Sequence, residues 1–170
     1  MNKELNYELV VIGGGPGGYA AAFRAADLGK KVLIIEKDNN LGGVCLNRGC
    51  IPSKALLHLA KIIEDTKSIK SHGVKFNEPI LELHNIDKWK NSIINKLSKG
   101  IDQLAKARGV KVLNGKAEFI SPKQLKVSNG DDKTISFKDC IIATGSKPSS
   151  IPKIIVDHKK IINSTDALNI

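Results

Sequence analysis

Aromatic residues are scarce: Phe, Trp and Tyr make up 4% of the 170 residues, with a single Trp. Stacking platforms for single-stranded nucleic acid are therefore few. The formal charge of +10 would suit a polyanion, but the lysines are spread along the whole chain and form no block. That is the pattern of a solvated basic surface, and no nucleic-acid partner is expected. Cysteine is rare too, at three residues, too few for a secreted disulfide scaffold. No apolar run reaches the ~18 residues of a membrane-spanning helix, so no membrane span is expected. Met1-Asn2-Lys3-Glu4-Leu5-Asn6 has no apolar signal-peptide core and carries an acid. The expectation is a soluble, cytoplasmic protein. Hydrophobic residues, at 41%, suffice for a core and exclude wholesale disorder. The length suits one domain or slightly more.

What is present is ordered punctuation. Tyr7-Glu8-Leu9-Val10-Val11-Ile12 reads as a buried parallel strand and runs into Gly13-Gly14-Gly15-Pro16-Gly17-Gly18. Tyr19 to Leu28 is Ala-rich and predicts a helix stopped by Gly29. Lys31 to Glu36 predicts a second buried strand, completing a right-handed βαβ unit. A loop with the close cysteine pair follows, then a helix over Ser53 to Ser68. A long helix is expected from Ile86 to Arg108, with Trp89, Ile93, Ile94, Leu97, Ile101, Leu104 and Ala105 at helical spacing and Gly100 interrupting it. Val110 to Leu113 reads as a strand. Three short segments between Lys116 and Lys138, with turns at Ser121-Pro122 and Asn129-Gly130-Asp131-Asp132, read as an antiparallel meander. Asp139 to Thr144 reads as one more buried strand, closed by Gly145, before a Pro- and Ser-rich tail ending at Ile170. The fold class is α/β: a Rossmann-like FAD/NAD(P)-binding fold, a parallel sheet with helices and a small antiparallel meander.

Gly13-x-Gly15-x-x-Gly18 lies between a predicted strand and a predicted helix, the context a dinucleotide fingerprint requires. The first glycine permits the tight turn, the second lets backbone approach a pyrophosphate, and the third lets helix and strand pack closely. The helix N-terminus offers N–H donors to the diphosphate. Glu36, at the end of the second strand, can bond adenosine ribose hydroxyls and would repel a ribose phosphate, which argues against NADP. The motif alone does not separate NAD from FAD.

Cys45 and Cys50 are five residues apart. In a regular helix such residues sit ~140° and ~7.5 Å apart, too far for a bridge. If the two form a disulfide, the backbone between them must be irregular, and Gly49 and Pro52 supply irregularity. So short a loop gains little chain-entropy stabilisation, which leaves thiol–disulfide exchange at a thiolate-favouring helix N-terminus as its use. A zinc site would need two more ligands, and Cys140 with His58, His72, His84 and His158 shows no ligand spacing, so no metal is expected. Cys140 is expected to be a buried small hydrophobe, and the histidines to be exposed.

The stretch Cys-Leu-Asn-Arg-Gly-Cys-Ile-Pro-Ser-Lys, Cys45 to Lys54, resembles the redox signature of the flavin disulfide oxidoreductases, the class I pyridine nucleotide-disulfide family. Within that family it is most similar to members that oxidise dihydrolipoyl groups. Glutathione-reducing members carry Val-Pro-Lys-Lys after the second cysteine, soluble transhydrogenases lack that cysteine, and mercuric reductases have a similar motif. The resemblance spans essentially the whole chain, through Gly13 to Gly18, Glu36, Gly115-Lys116-Ala117 and Ala143-Thr144-Gly145.

The resemblance implies FAD. Its pyrophosphate would lie at Gly13, Gly15, Pro16 and Gly18, its ribose at Glu36, and its adenine near Gly115 and Ala117. Lys37, Gly43, Val44 and the turn of Ala143, Thr144 and Gly145 belong to the same implied cofactor site. Cys45 would be the outer, interchange thiol, Cys50 the thiol facing the flavin, and Lys54 its neighbour beside the flavin. NAD⁺ would be the final acceptor. The implied partners are the dihydrolipoyl group of a lipoylated carrier protein, in a 2-oxoacid dehydrogenase complex or glycine cleavage system, and a second subunit in a homodimer.

Family members are much longer. Residues 1–145 are expected to form an FAD-binding domain without its C-terminal return segment, and 146–170 a connector toward a missing NAD-binding domain. No second Gly-rich fingerprint and no catalytic His-Glu pair occur, so the chain is expected to be a fragment and inactive alone. The alternatives are another flavin disulfide reductase of the mercuric reductase type, and a truncated, non-catalytic nucleotide-binding module.

Overall fold

A computed structural model describes residues 5–130 and 132–169. Most of the N-terminal stretch, Asp131 of the second meander turn, and Ile170 therefore lie outside the described residues. The chain divides into two compact units: residues 1–45 with 97–147, and residues 46–96 with 148–170.

The first unit holds one six-stranded sheet. Its strands are β1 (Leu5–Ile12), β2 (Val32–Glu36), β3 (Lys111–Asn114), β4 (Lys116–Ser121), β5 (Gln124–Ser128) and β6 (Lys133–Ile142). The order is β3-β2-β1-β6-β5-β4. β3, β2, β1 and β6 run parallel, and β6, β5 and β4 form the antiparallel meander. The expected α/β class and its meander are both present.

Helix α1 (Pro16–Asp27) packs on β1 and β2. Ala22 and Ala25 are its buried residues together with Gly18, so the helix can lie close to the sheet. Register pairs Val10 with Leu33 and Val11 with Ile34. Alternation sends each pair to opposite faces, and all four are buried, as near-continuous apolar runs in parallel strands require. Val10, Leu33 and Ile35 join Leu125, Val127, Ile135 and Phe137 in the main core, which the meander closes.

Several boundaries differ from expectation. α1 begins at Pro16, not Tyr19, because proline's fixed φ and missing N–H suit a helix's first position. The third meander segment and the last strand are one continuous strand, β6. Register Leu5↔Ile135 through Ile12↔Ile142 aligns β6 beside β1 over its length, while β5 pairs only with its first half. Its last stretch is not buried: Ile142 is 65% exposed and Ile141 38%. Cys140 is half-buried rather than buried. β3 starts at Lys111, one residue after Val110.

The second unit carries the end of α2 (Gly43–Arg48), α3 (Cys50–Ser68), the first part of α4 (Leu83–Ala107) and the tail. α2 replaces part of the expected loop. α3 starts at Cys50, not Ser53, because Pro52 falls in the first turn, where an N–H has no intrahelical acceptor. α4 starts at Leu83 and runs unbroken through Gly100. Its buried positions include Lys90, Ser98, Ile101 and Ala105, while Trp89, Leu97 and Leu104 are exposed. In the tail, Asp166–Leu168 forms a 3₁₀ turn. All four histidines are exposed, as expected. Among the described residues, no helix is long and apolar enough to cross a membrane.

Candidate functional site

The strand order reverses at β1: β2 lies on one side of it and β6 on the other. In open α/β sheets the crevice beyond the strand C-termini at such a switch point is where ligands bind. Gly13 to Gly18 follow β1 at that end, and Ala143-Thr144-Gly145 follow β6 beside them, where the Ala143 N–H donates to the Ile12 carbonyl at 2.8 Å.

The glycines differ in what they do. Gly13 has φ +105°, and a Cβ there would sit 2.2 Å from the Ala143 carbonyl oxygen. A Cβ on Gly18 would lie 1.8 Å from the Gly13 oxygen, so the helix could not approach the strand with any side chain there. Gly15 is different. A Cβ would meet only Gly43 Cα, at an ordinary 3.7 Å. The fold itself therefore does not demand glycine at 15. Without a side chain, the space at the α1 N-terminus stays open to a diphosphate. Among the described residues no side chain caps that terminus, which leaves its first-turn N–H donors for a ligand.

Glu36 is 7% exposed. Its Oε2 accepts the Gly14 N–H at 2.6 Å and its Oε1 the Asp38 N–H at 2.9 Å. A carboxylate has about four lone-pair sites, so capacity remains for ribose hydroxyls. The Gly115 N–H donates to the Glu36 carbonyl at 2.8 Å, which brings the start of β4 and Ala117 to the same end of the sheet. Gly43 packs against Gly15, and Val44 follows it in α2. Lys37 is exposed after β2.

Two side-chain roles escaped the sequence reading. The Asn114 carboxamide donates to the carbonyls of Glu36 and Asp38, at 3.1 and 2.7 Å, and pins the loop after β2. The Ser98 hydroxyl donates to the Leu41 carbonyl at 3.3 Å. Asn-Gly at 114–115 carried a turn signal but no sign of this second task.

All three cysteines are thiols in this structure. Cys45 lies inside α2 and Cys50 is the first residue of α3. Gly49, at φ −145° and ψ −104°, is the non-helical residue separating the two helices. The irregular backbone that a bridge would need is thus present. Cys50 and Lys54 are exposed, one helical turn apart. The glycine turn, Glu36 and Cys45 belong to the first unit, Cys50 and Lys54 to the second. Cys140, in β6, is a thiol pushed up by burial.

Residues 7–170 match the family described as pyridine nucleotide-disulphide oxidoreductase. The chain is 50% identical to the dihydrolipoyl dehydrogenase of Buchnera aphidicola subsp. Acyrthosiphon pisum, over 100% of this chain and 36% of that protein. It is 47% identical to the dihydrolipoyl dehydrogenase of Vibrio cholerae, with the same coverage. Its fold is similar to the copper(II) complex of an HOCl-induced flavoprotein disulfide reductase from Escherichia coli, with TM-score 0.78 and 28% identity, over 100% of this chain and 35% of that one. The chain thus spans 36% of the length of these curated relatives.

Proposed function

Because the chain belongs to the pyridine nucleotide-disulphide oxidoreductase family, we propose that it is the FAD-binding, redox-disulfide portion of a dihydrolipoyl dehydrogenase. The observation that carries this reading is 50% identity to such an enzyme along the whole chain. The FAD-binding domain covers residues 1–145 in this reading, and 146–170 lead toward an NAD-binding domain.

The residues present fit FAD. Gly15 leaves a space that a Cβ would fill, and Glu36 sits with its carboxylate at the fingerprint turn. Gly13, Gly15, Pro16 and Gly18 hold the diphosphate, Glu36 and Lys37 the ribose end, and Gly115 and Ala117 the adenine. Gly43, Val44, Ala143, Thr144 and Gly145 complete the cradle, and Lys54 stands beside the flavin.

The chemistry of the chain's own residues is thiol–disulfide exchange. A dihydrolipoyl thiolate attacks Cys45 Sγ of the Cys45–Cys50 disulfide. A mixed disulfide forms, and Cys50 leaves as the thiolate. The second substrate thiolate then attacks the substrate sulfur of the mixed disulfide. That closes the lipoyl ring and releases Cys45 as the thiolate, so the substrate loses the electron pair that the cysteines gain. FAD, when bound, supplies the two-electron chemistry that passes the pair on to NAD⁺. The substrate is a dihydrolipoyl group on a carrier protein of a 2-oxoacid dehydrogenase complex or glycine cleavage system, and the working protein is a cytoplasmic homodimer.

The test is stoichiometric exchange. The chain with its cysteines oxidised is mixed with dihydrolipoamide, and lipoamide is measured. One equivalent is expected from the wild type and none from Cys45→Ser. Lipoamide formed equally by both would overturn the reading.

A further inference from the structure

Glu36 is the last residue of β2, and its register partner is Asn114, the last residue of β3. The paired register ends there, and the Asn114 carboxamide carries the hydrogen bonding one step further. One N–H of its Nδ2 goes to the Glu36 carbonyl at 3.1 Å and the other to the Asp38 carbonyl at 2.7 Å. A carboxamide nitrogen has two donors, so both are used. Its orientation is forced: turned over, the amide would set its oxygen against two carbonyl oxygens.

Asn114 is itself held from the meander. Asn129 Nδ2, in the turn after β5, donates to Asn114 Oδ1 at 2.9 Å and to the Asn114 carbonyl at 3.2 Å. Gly115, next in the chain, lies tight against the same segment. A Cβ there would sit 2.7 Å from Val127 Cγ1 and 3.3 Å from Asn129 Cβ.

These bonds reach the buried carboxylate. The Asp38 N–H donates to Glu36 Oε1 at 2.9 Å, and Asp38 is the residue whose carbonyl Asn114 holds. The carboxamide thus fixes the backbone at Glu36, the root of the side chain, and the backbone at Asp38, whose N–H aims it. Loss of the carboxamide releases both, and leaves the Gly14 N–H on Oε2.

We propose that Asn114, oriented by Asn129, is a positioning residue for the adenosine ribose: it aims the Glu36 carboxylate at the 2′-hydroxyl. The proposal rests on the dinucleotide reading of the glycine turn and Glu36 given above. Asn114 acts through Glu36 and the loop after β2.

The test is calorimetric titration of the chain with ADP and with 2′-deoxy-ADP. ADP carries the adenosine and diphosphate of FAD without the flavin. The wild type should prefer ADP about tenfold, the worth of one charge-assisted hydrogen bond to the 2′-hydroxyl. Asn114→Ala and Asn114→Asp should shrink that preference to about twofold, because a bond displaced by ~0.5 Å or more loses most of its advantage. Asn129→Ala should shrink it less. A loss of structure alone weakens both nucleotides together and leaves their ratio unchanged. Ile135→Val, which thins the main core, should therefore lower stability and keep the full preference. An unchanged preference in every Asn114 and Asn129 variant that binds ADP would overturn the positioning role alone. A wild type that binds no ADP, or binds both nucleotides equally, would overturn the Glu36 ribose contact and the proposal with it.

Discussion

The backbone N–H of Gly14 donates to Glu36 Oε2 at 2.6 Å, across 22 residues of sequence. One carboxylate thereby holds the fingerprint turn against the end of β2. The acid is part of the turn's construction as well as its proposed ribose contact. Glu36→Ala should strand the Gly14 and Asp38 donors and cost about 1–3 kcal/mol per stranded group. Glu36→Gln keeps one acceptor oxygen and should cost less. Urea unfolding of the two variants without added flavin checks this ranking, and equal midpoints would refute it.

Two glycines of the same turn should separate folding from ligand binding. Gly18→Ala forces a Cβ onto the Gly13 oxygen, at 1.8 Å, and should destabilise the chain by about 1–3 kcal/mol or more. Gly15→Ala meets only an ordinary 3.7 Å contact and should cost no more than about 1 kcal/mol, the scale of a changed helix cap. Yet Gly15→Ala should weaken FAD retention, and Gly15→Val should abolish it. Thermal unfolding and flavin absorbance after gel filtration measure the two effects. A Gly15→Val chain that stays yellow would contradict the diphosphate assignment.

The legible parts were those where local pattern and global fold agree. The run from Tyr7 to Glu36 shows its strands, its glycine turn and its helix in the sequence itself, and each is found there, with the first strand starting two residues earlier at Leu5, the helix three residues earlier at Pro16, and other ends within one residue. β6 was harder, because Lys138 and Asp139 interrupt its apolar pattern. Pairing with β1 carries the strand straight through them. On α4, the apolar residues Trp89, Leu97 and Leu104 suggested the buried face, but Lys90 and Ser98 are buried instead. A lysine reads as surface by default. Only the partners Asp87 and Leu168, the latter 78 residues away, explain its burial.

The tail should loosen in acid. Asp157 Oδ1 accepts the N–H groups of Lys159, Lys160 and Ile161 at 2.8 to 2.9 Å. Asp166 Oδ2 accepts the Asn163 N–H at 3.0 Å and lies 2.8 Å from His158 Nδ1. These bonds hold both carboxyls below the ordinary 3.8: for Asp157 through the N–H groups of Ile161 and Lys159 first, and for Asp166 through Asn163 first and then His158. A depressed folded value means the charged form is favoured by folding. Its contribution is complete above the unfolded value and is lost as pH falls through the folded one. Local amide protection at residues 159–163 should therefore be complete above the ordinary carboxylate range and fall as pH drops below it, as read by hydrogen exchange with intrinsic rates corrected for pH. Asp157→Asn should remove most of that dependence. Protection that rises on acidification would reverse the sign of the argument.

The last prediction concerns which thiol reacts. Alkylation needs both access and thiolate. Cys50 is exposed at the start of α3, whereas Cys140 is half-buried in β6. Burial also pushes the Cys140 thiol up, so at a given pH less of it is thiolate. The two disadvantages of Cys140 act in the same direction. Iodoacetamide at mildly alkaline pH should modify Cys50 at least about tenfold faster than Cys140. Peptide mass spectrometry over a time course measures both rates in one sample. Replacing Cys140 by Ala should leave the fast phase intact, because Cys140 has no part in the proposed exchange. Comparable rates at the two positions would mean that the exposed last stretch of β6 admits the reagent. Cys140 would then compete with the proposed redox pair for oxidants, and the exchange chemistry would have to be reassigned among three thiols instead of two.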